Sequence, residues 1–393
     1  MDDPAALRPH ADGALPRPGI AATVIGALVC LVGLLVDPRR TAAAYLVAYV
    51  AVLAVALGAL AMIMIARVTA ATWFVALRRQ AEQVVAVLPA LAVLFIPLLA
   101  AVGALYPWTH PDLLATAVRH KVQAKAGYLN VPFFIVRAAL YWAVWIVLGE
   151  LLRRASLAEA DAGGQDRSHR MYVISAVGLP LFALATSFAA FDWMMSLAPA
   201  WYSTVYGVDY FAGGMVGALA LLALLVARGH RRGELTDAVS TEHLHVLGKL
   251  LLTFVLFWVY IGFSQLIVIW SAEIPAEAAW YRVRMNGGWW WVGAVLVAGH
   301  FVIPFCALLL RAVKRSMVAM TGLAALLLVM HYVDLYWMVM PDAGWTSAIW
   351  LDAGALLFIG GTSSLAWSVR RRGEAGVPLG DPLLADSLNY RTD

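Results

Sequence analysis

Residues 192–209 read DWMMSLAPAWYSTVYGVD, with an aspartate at each end, a proline at 199 and a glycine at 207. Apolar blocks long enough to cross a bilayer flank the stretch, so it reads as a short turn between two antiparallel spans. A charged side chain near a bilayer centre costs roughly 2.5–3.5 kcal/mol on insertion scales, so intramembrane carboxylates usually serve a function. Asp192 is expected about five residues from the membrane surface, ~7 Å deep at 1.5 Å per residue, with Asp209 at the same depth on the returning helix. Two neighbouring carboxylates in low dielectric cannot both ionise cheaply, so one is expected to hold a proton and to exchange it. Tyr202, Tyr206 and Tyr210 crowd the same level. The plainer alternative is that each aspartate caps a helix end or sits in headgroup water.

Working outward, the chain has 393 residues, of which 63% are apolar and 13% charged. A soluble protein carries about twice that charged share. The apolar residues fall into ten blocks, at 19–36, 42–66, 84–105, 131–152, 171–196, 203–227, 245–272, 287–311, 316–340 and 345–369. The predicted fold is an all-α integral membrane protein of about ten transmembrane helices. Residues 42–196 and 203–340 are expected as two four-helix bundles, with the first and last spans peripheral. Residues 1–18 and 370–393 are left as polar tails.

We call the side expected to hold both chain ends side A. Its loops and tails carry 19 of the 28 Lys and Arg residues and those of side B carry seven; Arg137 and Lys249 fall inside spans. By the positive-inside rule side A is cytoplasmic, and the expected location is the bacterial inner membrane. The formal charge of +4 reflects this loop bias and does not argue for nucleic acid. The first 18 residues lack an apolar core, so no cleavable signal peptide is expected and the first span serves as an anchor. Cys30 and Cys306 stand alone in separate spans without a CxxC or CxxCH motif, which gives no support to zinc, iron–sulfur or c-type haem attachment. The segment 67–83, RVTAATWFVALRRQAEQ, puts Trp73, Phe74 and Leu77 on one helical face and Arg78, Arg79 and Glu82 away from it. It reads as an interfacial helix. The loop 106–130 is long enough to cover a site or dock a subunit, or to be a plain connector.

The other intramembrane polar groups sort by depth. Toward side B lie Arg137, Asp334, Asp352 and, deeper, His331. Arg137 can pair with one of the aspartates, either to build a site or as a structural ion pair. Glu277 and Arg282 fall in the loop after the seventh span. Toward side A lie Glu150, His243 and Lys249, which can snorkel or open a proton path. His300 sits near mid-membrane and can extend such a path, since membrane proton relays are built from Asp, Glu and His. A haem between His300 and His331 is disfavoured because neither span has a second histidine at useful spacing. Trp289, Trp290 and Trp291, with Trp201, Trp270, Trp280, Trp337 and Trp345, form an outer aromatic belt. Quinones favour aromatic slots with a few polar groups, so Trp201, Trp270, Tyr206, Tyr210, Arg137, Glu277 and Arg282 are candidates for a quinone site.

The runs FDWMMSLAPAWYSTVYGVDYFAG, LHVLGKLLLTFVLFWVYIGFSQ and EIPAEAAWYRVRMNGGWWW, supported by RRQAEQ and LYPW, resemble the ActF-like second large membrane subunit of alternative complex III. That subunit is related to the NrfD-like membrane subunits of polysulfide reductases. The resemblance spans about residues 20 to 370. It implies a ten-span subunit of a bacterial quinol:electron-acceptor oxidoreductase that is not catalytic alone and carries no covalently bound redox cofactor. Quinol or quinone is an implied ligand. Iron–sulfur clusters and c-type haems are implied only in partner subunits, alongside a paralogous NrfD-like membrane subunit, lipids and in some assemblies a terminal oxidase. The implied role is proton translocation, quinone binding, or both. The rivals are an NrfD-like quinone subunit of another respiratory reductase, a secondary transporter and a structural scaffold.

Overall fold

The computed structural model describes residues 16–162, 165–235, 238–272, 274–343, 347–378 and 380–391. Ten of its helices are long and apolar enough to cross a membrane. We number them as spans: 1 (Arg17–Val36), 2 (Pro38–Val68), 3 (Thr72–Ala100), 4 (Val131–Ala158), 5 (His169–Leu197), 6 (Tyr206–Arg231), 7 (Thr241–Ala272), 8 (Trp289–Leu309), 9 (Met317–Ala343) and 10 (Ile349–Arg370). No strand occurs among the described residues. The protein is an all-α, multi-pass membrane protein. Helices are what a lipid-embedded chain requires, because each satisfies its own backbone polar groups.

Span 2 is the axis of the molecule. It is almost wholly buried and packs against spans 5, 6, 9 and 10. Small residues allow this. A Cβ placed on Gly58 would lie 2.4 Å from the Gly214 carbonyl oxygen, and one on Gly214 would lie 2.8 Å from that of Ala54. Spans 2 and 6 therefore cross backbone to backbone, as small residues permit in membranes. Span 1 pairs with span 10 at the periphery through Gly26 and Gly354. Its other face, including Val24, Leu28 and Leu35, is exposed, as suits a surface toward lipid.

Span 3 is a broken helix. Pro89 and Pro97 cannot donate to the backbone ladder, and near Phe95 the hydrogen bonds shift to a tighter register. Carbonyls freed there are taken up from span 2: Tyr49 Oη donates to Leu91 O (2.9 Å) and Tyr45 Oη to Leu94 O (2.7 Å). Phe95 and Trp193 lie 4.4 Å apart by ring centroids, and Trp142, Trp145 and Tyr49 complete an aromatic core among spans 2–5.

The helix expected at 67–83 forms, as a short 3-10 turn at Thr72–Phe74 and a helix at Val75–Val85. Its surroundings correct the expectation. Arg78, Arg79 and Glu82 are buried together with Trp73, Phe74 and Leu77. The C-terminal residues, read from sequence as a polar tail, fold over this segment. Asp381 accepts from both Arg67 (2.9 Å) and Arg78. Gln80 donates to Gly376 O, Glu374 meets Arg153, and Ser387 Oγ accepts from Ala76 N. Charged residues off the apolar face of a helix need not face water when a charged strap covers them.

Candidate functional site

Helix register decides which intramembrane charges acquire a partner. Gly207 sets the register between spans 5 and 6, since a Cβ on it would lie 2.5 Å from Ser187 Cα. Ser187 is five residues before Asp192, and Asp209 is two residues further along span 6. At 1.5 Å per residue Asp209 is therefore roughly 10 Å deeper than Asp192. The expectation of a matched Asp192–Asp209 pair fails on this point. The cause is local: span 5 closes in a 3-10 turn at Met195–Leu197 and the next regular helix starts only at Tyr206. The chain between descends without helix.

Asp192 belongs to an ion pair. Arg137 Nε and Nη2 donate to its two carboxylate oxygens at 2.7 and 3.0 Å, and Tyr141 Oη adds a bond of 2.7 Å. The guanidinium lies over the rings of Tyr128 (3.8 Å) and Phe133 (4.4 Å). Every carboxylate oxygen is satisfied, and the bidentate fork is the geometry arginine makes best. Asp352 is likewise held in a fork by Arg40, at 2.9 and 2.6 Å, linking spans 2 and 10. Arg40 reads in the sequence as a loop cation on side B, yet it is buried. Both aspartates are committed to helix packing rather than placed on an open proton path.

Asp209 has a different environment. It shares one face of span 6 with Gly213 and Gly217, at spacings of four. Across that face stand His331 and Asp334 of span 9: a Cβ on Gly213 would lie 3.2 Å from Asp334 Oδ2, and one on Gly217 3.1 Å from His331 Cδ2. Asp209 lies one helical turn from Gly213, the residue that faces Asp334 Oδ2. Asp334 Oδ2 accepts from Trp258 Nε1 of span 7 at 3.0 Å. The Trp258 ring stacks on the His300 imidazole at 4.2 Å and 23°. His331 Nε2 lies 3.1 Å from Ala51 O of span 2. Four spans of one half of the molecule, with a carbonyl of span 2, thus bring two carboxylates and two imidazoles together.

Several polar atoms here make no hydrogen bond within the protein: Asp209 Oδ1, His331 Nδ1, both ring nitrogens of His300 and Tyr206 Oη. A buried polar group without a partner costs about 1–3 kcal/mol, so such a concentration points to groups kept for exchange. His300 also lies in a π-helical turn, Val297–Val302. Pro304 explains it, because the missing N–H removes the α-register bond to the His300 carbonyl. Such turns are frequent at functional sites.

The remaining candidates lie elsewhere. Tyr206 and Trp201 line the side-B approach, where Trp201 stacks on Trp280 at 4.7 Å. Tyr210 turns away and donates to Val50 O (3.0 Å). Glu277 contributes its carbonyl to Trp201 Nε1 (3.1 Å), Arg282 is exposed, and Trp270 is 73% exposed on the outer face of span 7. The quinone candidates therefore do not converge on one slot. Toward side A, Glu150 forms a surface pair with Arg154 (2.9 Å), Lys249 is exposed, and His243 is fixed by Ser240 and the Tyr390 ring. These three do not join the central cluster. Of the aromatic belt, Trp290 and Trp291 are exposed, Trp280 is buried, and Trp345 lies outside the described residues. The 106–130 loop covers the 194–205 turn: Trp108 Nε1 donates to Ser196 Oγ (3.2 Å) and Lys125 Nζ to Pro199 O (3.1 Å).

Sequence reasoning missed Trp258, Arg40 and Arg284. The Arg284 guanidinium is buried over Trp280 at 3.4 Å and donates to Met338 O and Asp342 Oδ2, both at 2.6 Å. Burial lowers its pKa, and Asp342 opposes the shift. One signal for the cluster was legible: Asp209, Gly213 and Gly217 at spacings of four, opposite a His331–Asp334 spacing of three. No group of three or more metal-ligating side chains suited to a metal ion occurs among the described residues. A haem between His300 and His331 gains no support, since His331 Nε2 is directed to Ala51 O. No protein-family model matches the sequence, and no curated protein matches it.

Proposed function

We propose that this chain is a membrane subunit of a quinol:electron-acceptor oxidoreductase of the alternative complex III type, in which it handles protons. The observation that carries this reading is the convergence of half-buried Asp209 with buried Asp334, His331 and His300 in one cluster with unbonded polar atoms. Two adjacent carboxylates in low dielectric favour a single shared proton, and imidazoles beside them can pass it on. Quinol oxidation releases protons, so a subunit without its own redox centre contributes by receiving or relaying them. The resemblance of the 191–213, 244–265 and 273–291 motifs to ActF-like subunits supplies the setting. Electrons then pass through iron–sulfur and c-type haem partners, and side A is the cytoplasmic face.

The roles divide within the chain. The Asp209–Asp334 pair holds the proton, Trp258 orients Asp334, and His300 and His331 extend the pair toward the membrane centre. Arg137–Asp192 and Arg40–Asp352 fix the helices around it. Replacing both Asp209 and Asp334 with asparagine in the assembled complex is expected to slow quinol turnover or reduce proton release by at least about a hundredfold, the lower end of the range over which positioned proton-transfer groups act. Normal turnover and normal proton stoichiometry would refute the proton role. Purification without iron–sulfur or c-type haem subunits would refute the assignment to this complex.

A further inference from the structure

Between the carboxylate pair and side B lies a closure made of one guanidinium and several aromatic rings. Its helix, Pro275–Met285, connects spans 7 and 8. Arg284 reaches from this helix onto the end of span 9. Its Nε donates to Trp337 O (3.1 Å), Nη2 to Met338 O and Asp342 Oδ2, and Nη1 to Trp280 O (3.1 Å). The Trp337 carbonyl is available because Pro341, four residues on, has no N–H to give it. Arg284 thus fills a gap that a proline opens in span 9. Trp280 stacks on Trp201 and meets Trp337 edge to face, so aromatic rings close round the guanidinium.

Tyr206 stands between this closure and the pair. Its hydroxyl is buried and makes no hydrogen bond within the protein, its ring meets the Trp280 ring edge to face at 6.3 Å, and Asp209 lies three residues further along span 6. Tyr281, on the same helix, meets the Trp280 ring edge to face at 5.0 Å. Asp342 is 15% exposed and forms the outer edge. Along span 9 the order toward side B is therefore Asp334, then the Trp337 and Met338 carbonyls that hold Arg284, then Asp342, with Tyr206 beside the Trp280 ring. A buried guanidinium over the approach to the carboxylates disfavours a hydronium or other cation beside it, as in pores that exclude protons.

We propose that Arg284 is the side-B closure of the Asp209–Asp334 pair, so that the pair exchanges protons with side-B water only when the Pro275–Met285 helix moves off span 9. The proposal rests on the proton-handling reading above. Motion of that helix has a hinge in Gly287 and Gly288: Gly287 has φ +59°, and neither glycine has a neighbour within 4 Å of an added Cβ. Opening would break the Arg284 bonds to span 9 and admit water to Tyr206, with no other covalent or redox change.

The test is passive proton conductance of the full chain, with the subunits that co-purify, in proteoliposomes under an imposed potential and without quinol. The native protein should be tight. The charge-neutral double variant Arg284→Gln/Asp342→Asn should conduct protons at least about tenfold faster, the change expected from lowering a barrier by one such step. Adding D209N and D334N to it should return the conductance to the native level. An assembled double variant as tight as the native protein would overturn the proposal, as would a leak that persists with both asparagines present. If the double variant does not assemble, Tyr206→Cys in the presence of native Arg284 serves instead. A membrane-impermeant maleimide added from side B should leave that cysteine unmodified, and rapid modification would overturn the closure. A tight double variant together with impaired turnover in D209N/D334N would remove the closure and leave the proton role standing.

Discussion

At the scale of single residues, the four intramembrane aspartates near side B separate into two kinds. Asp192 and Asp352 each sit in an arginine fork with all oxygens engaged. Asp334 and, one turn from its contact with Gly213, Asp209 lie in the central cluster with only Trp258 as a bonded partner. The two kinds should respond oppositely to neutralisation. Asp192→Asn leaves a buried guanidinium without its counter-charge, which costs about 3–5 kcal/mol. It is expected to lower the melting temperature and yield sharply, and Arg137→Gln added to it should recover part of the loss. Asp209→Asn is expected to leave the melting temperature close to native and to reduce proton-coupled turnover. Thermal unfolding in detergent, read beside turnover, checks both. Equal destabilisation by the two variants would erase the distinction.

At the scale of elements, prolines decide where the spans open. Pro89 and Pro97 interrupt span 3, and tyrosines of span 2 take up carbonyls there. Pro341 exposes the Trp337 carbonyl to Arg284. Pro304 imposes the π turn that seats His300 on Trp258. Pro304→Ala restores an N–H and favours an ordinary α register, since alanine is about 3 kcal/mol better than proline inside a helix. The expected outcome is an assembled and locally more stable span 8 whose His300 has turned off Trp258. Slower amide exchange across 297–304 together with reduced proton release would show it. Unchanged proton release with slowed exchange would separate His300 from the cluster's function.

At the scale of the whole molecule, the C-terminal tail is part of the fold. Asp381 joins Arg67 at the end of span 2 to Arg78 at the start of span 3, and Glu374 meets Arg153 of span 4. One strap therefore ties three spans together on side A. Removing residues 374–393 takes away both carboxylates and uncovers the buried helix Val75–Val85. Each broken buried pair costs about 3–5 kcal/mol. The truncated chain is expected to melt several degrees lower and to be cut by protease within 73–83, a segment buried in the full chain. Limited proteolysis followed by mass mapping of the fragments reads this directly, and a native cleavage pattern would show that the strap is dispensable.

The ten spans, the alternation of polar ends and the position of the 194–205 turn were legible from sequence. Hydropathy over some twenty residues is a local property, and a chain in lipid has no alternative to satisfying its backbone within each helix. The presence of costly charges at 137, 192, 209, 334 and 352 was legible for the same reason. Their partners were not. Asp192 went to Arg137 rather than Asp209 because a non-helical descent after Leu197 shifts span 6 inward, and only the Gly207–Ser187 contact fixes that shift. Arg40 left the loop for Asp352, Trp258 found Asp334, and Arg284 found the end of span 9, each across more than fifty residues of chain. Periodicity tells which residues share a face of one helix, but rotation and depth between helices are set by packing. Sequence alone placed charges in the membrane, and tertiary structure decided which are neutralised in pairs and which remain clustered with unbonded atoms.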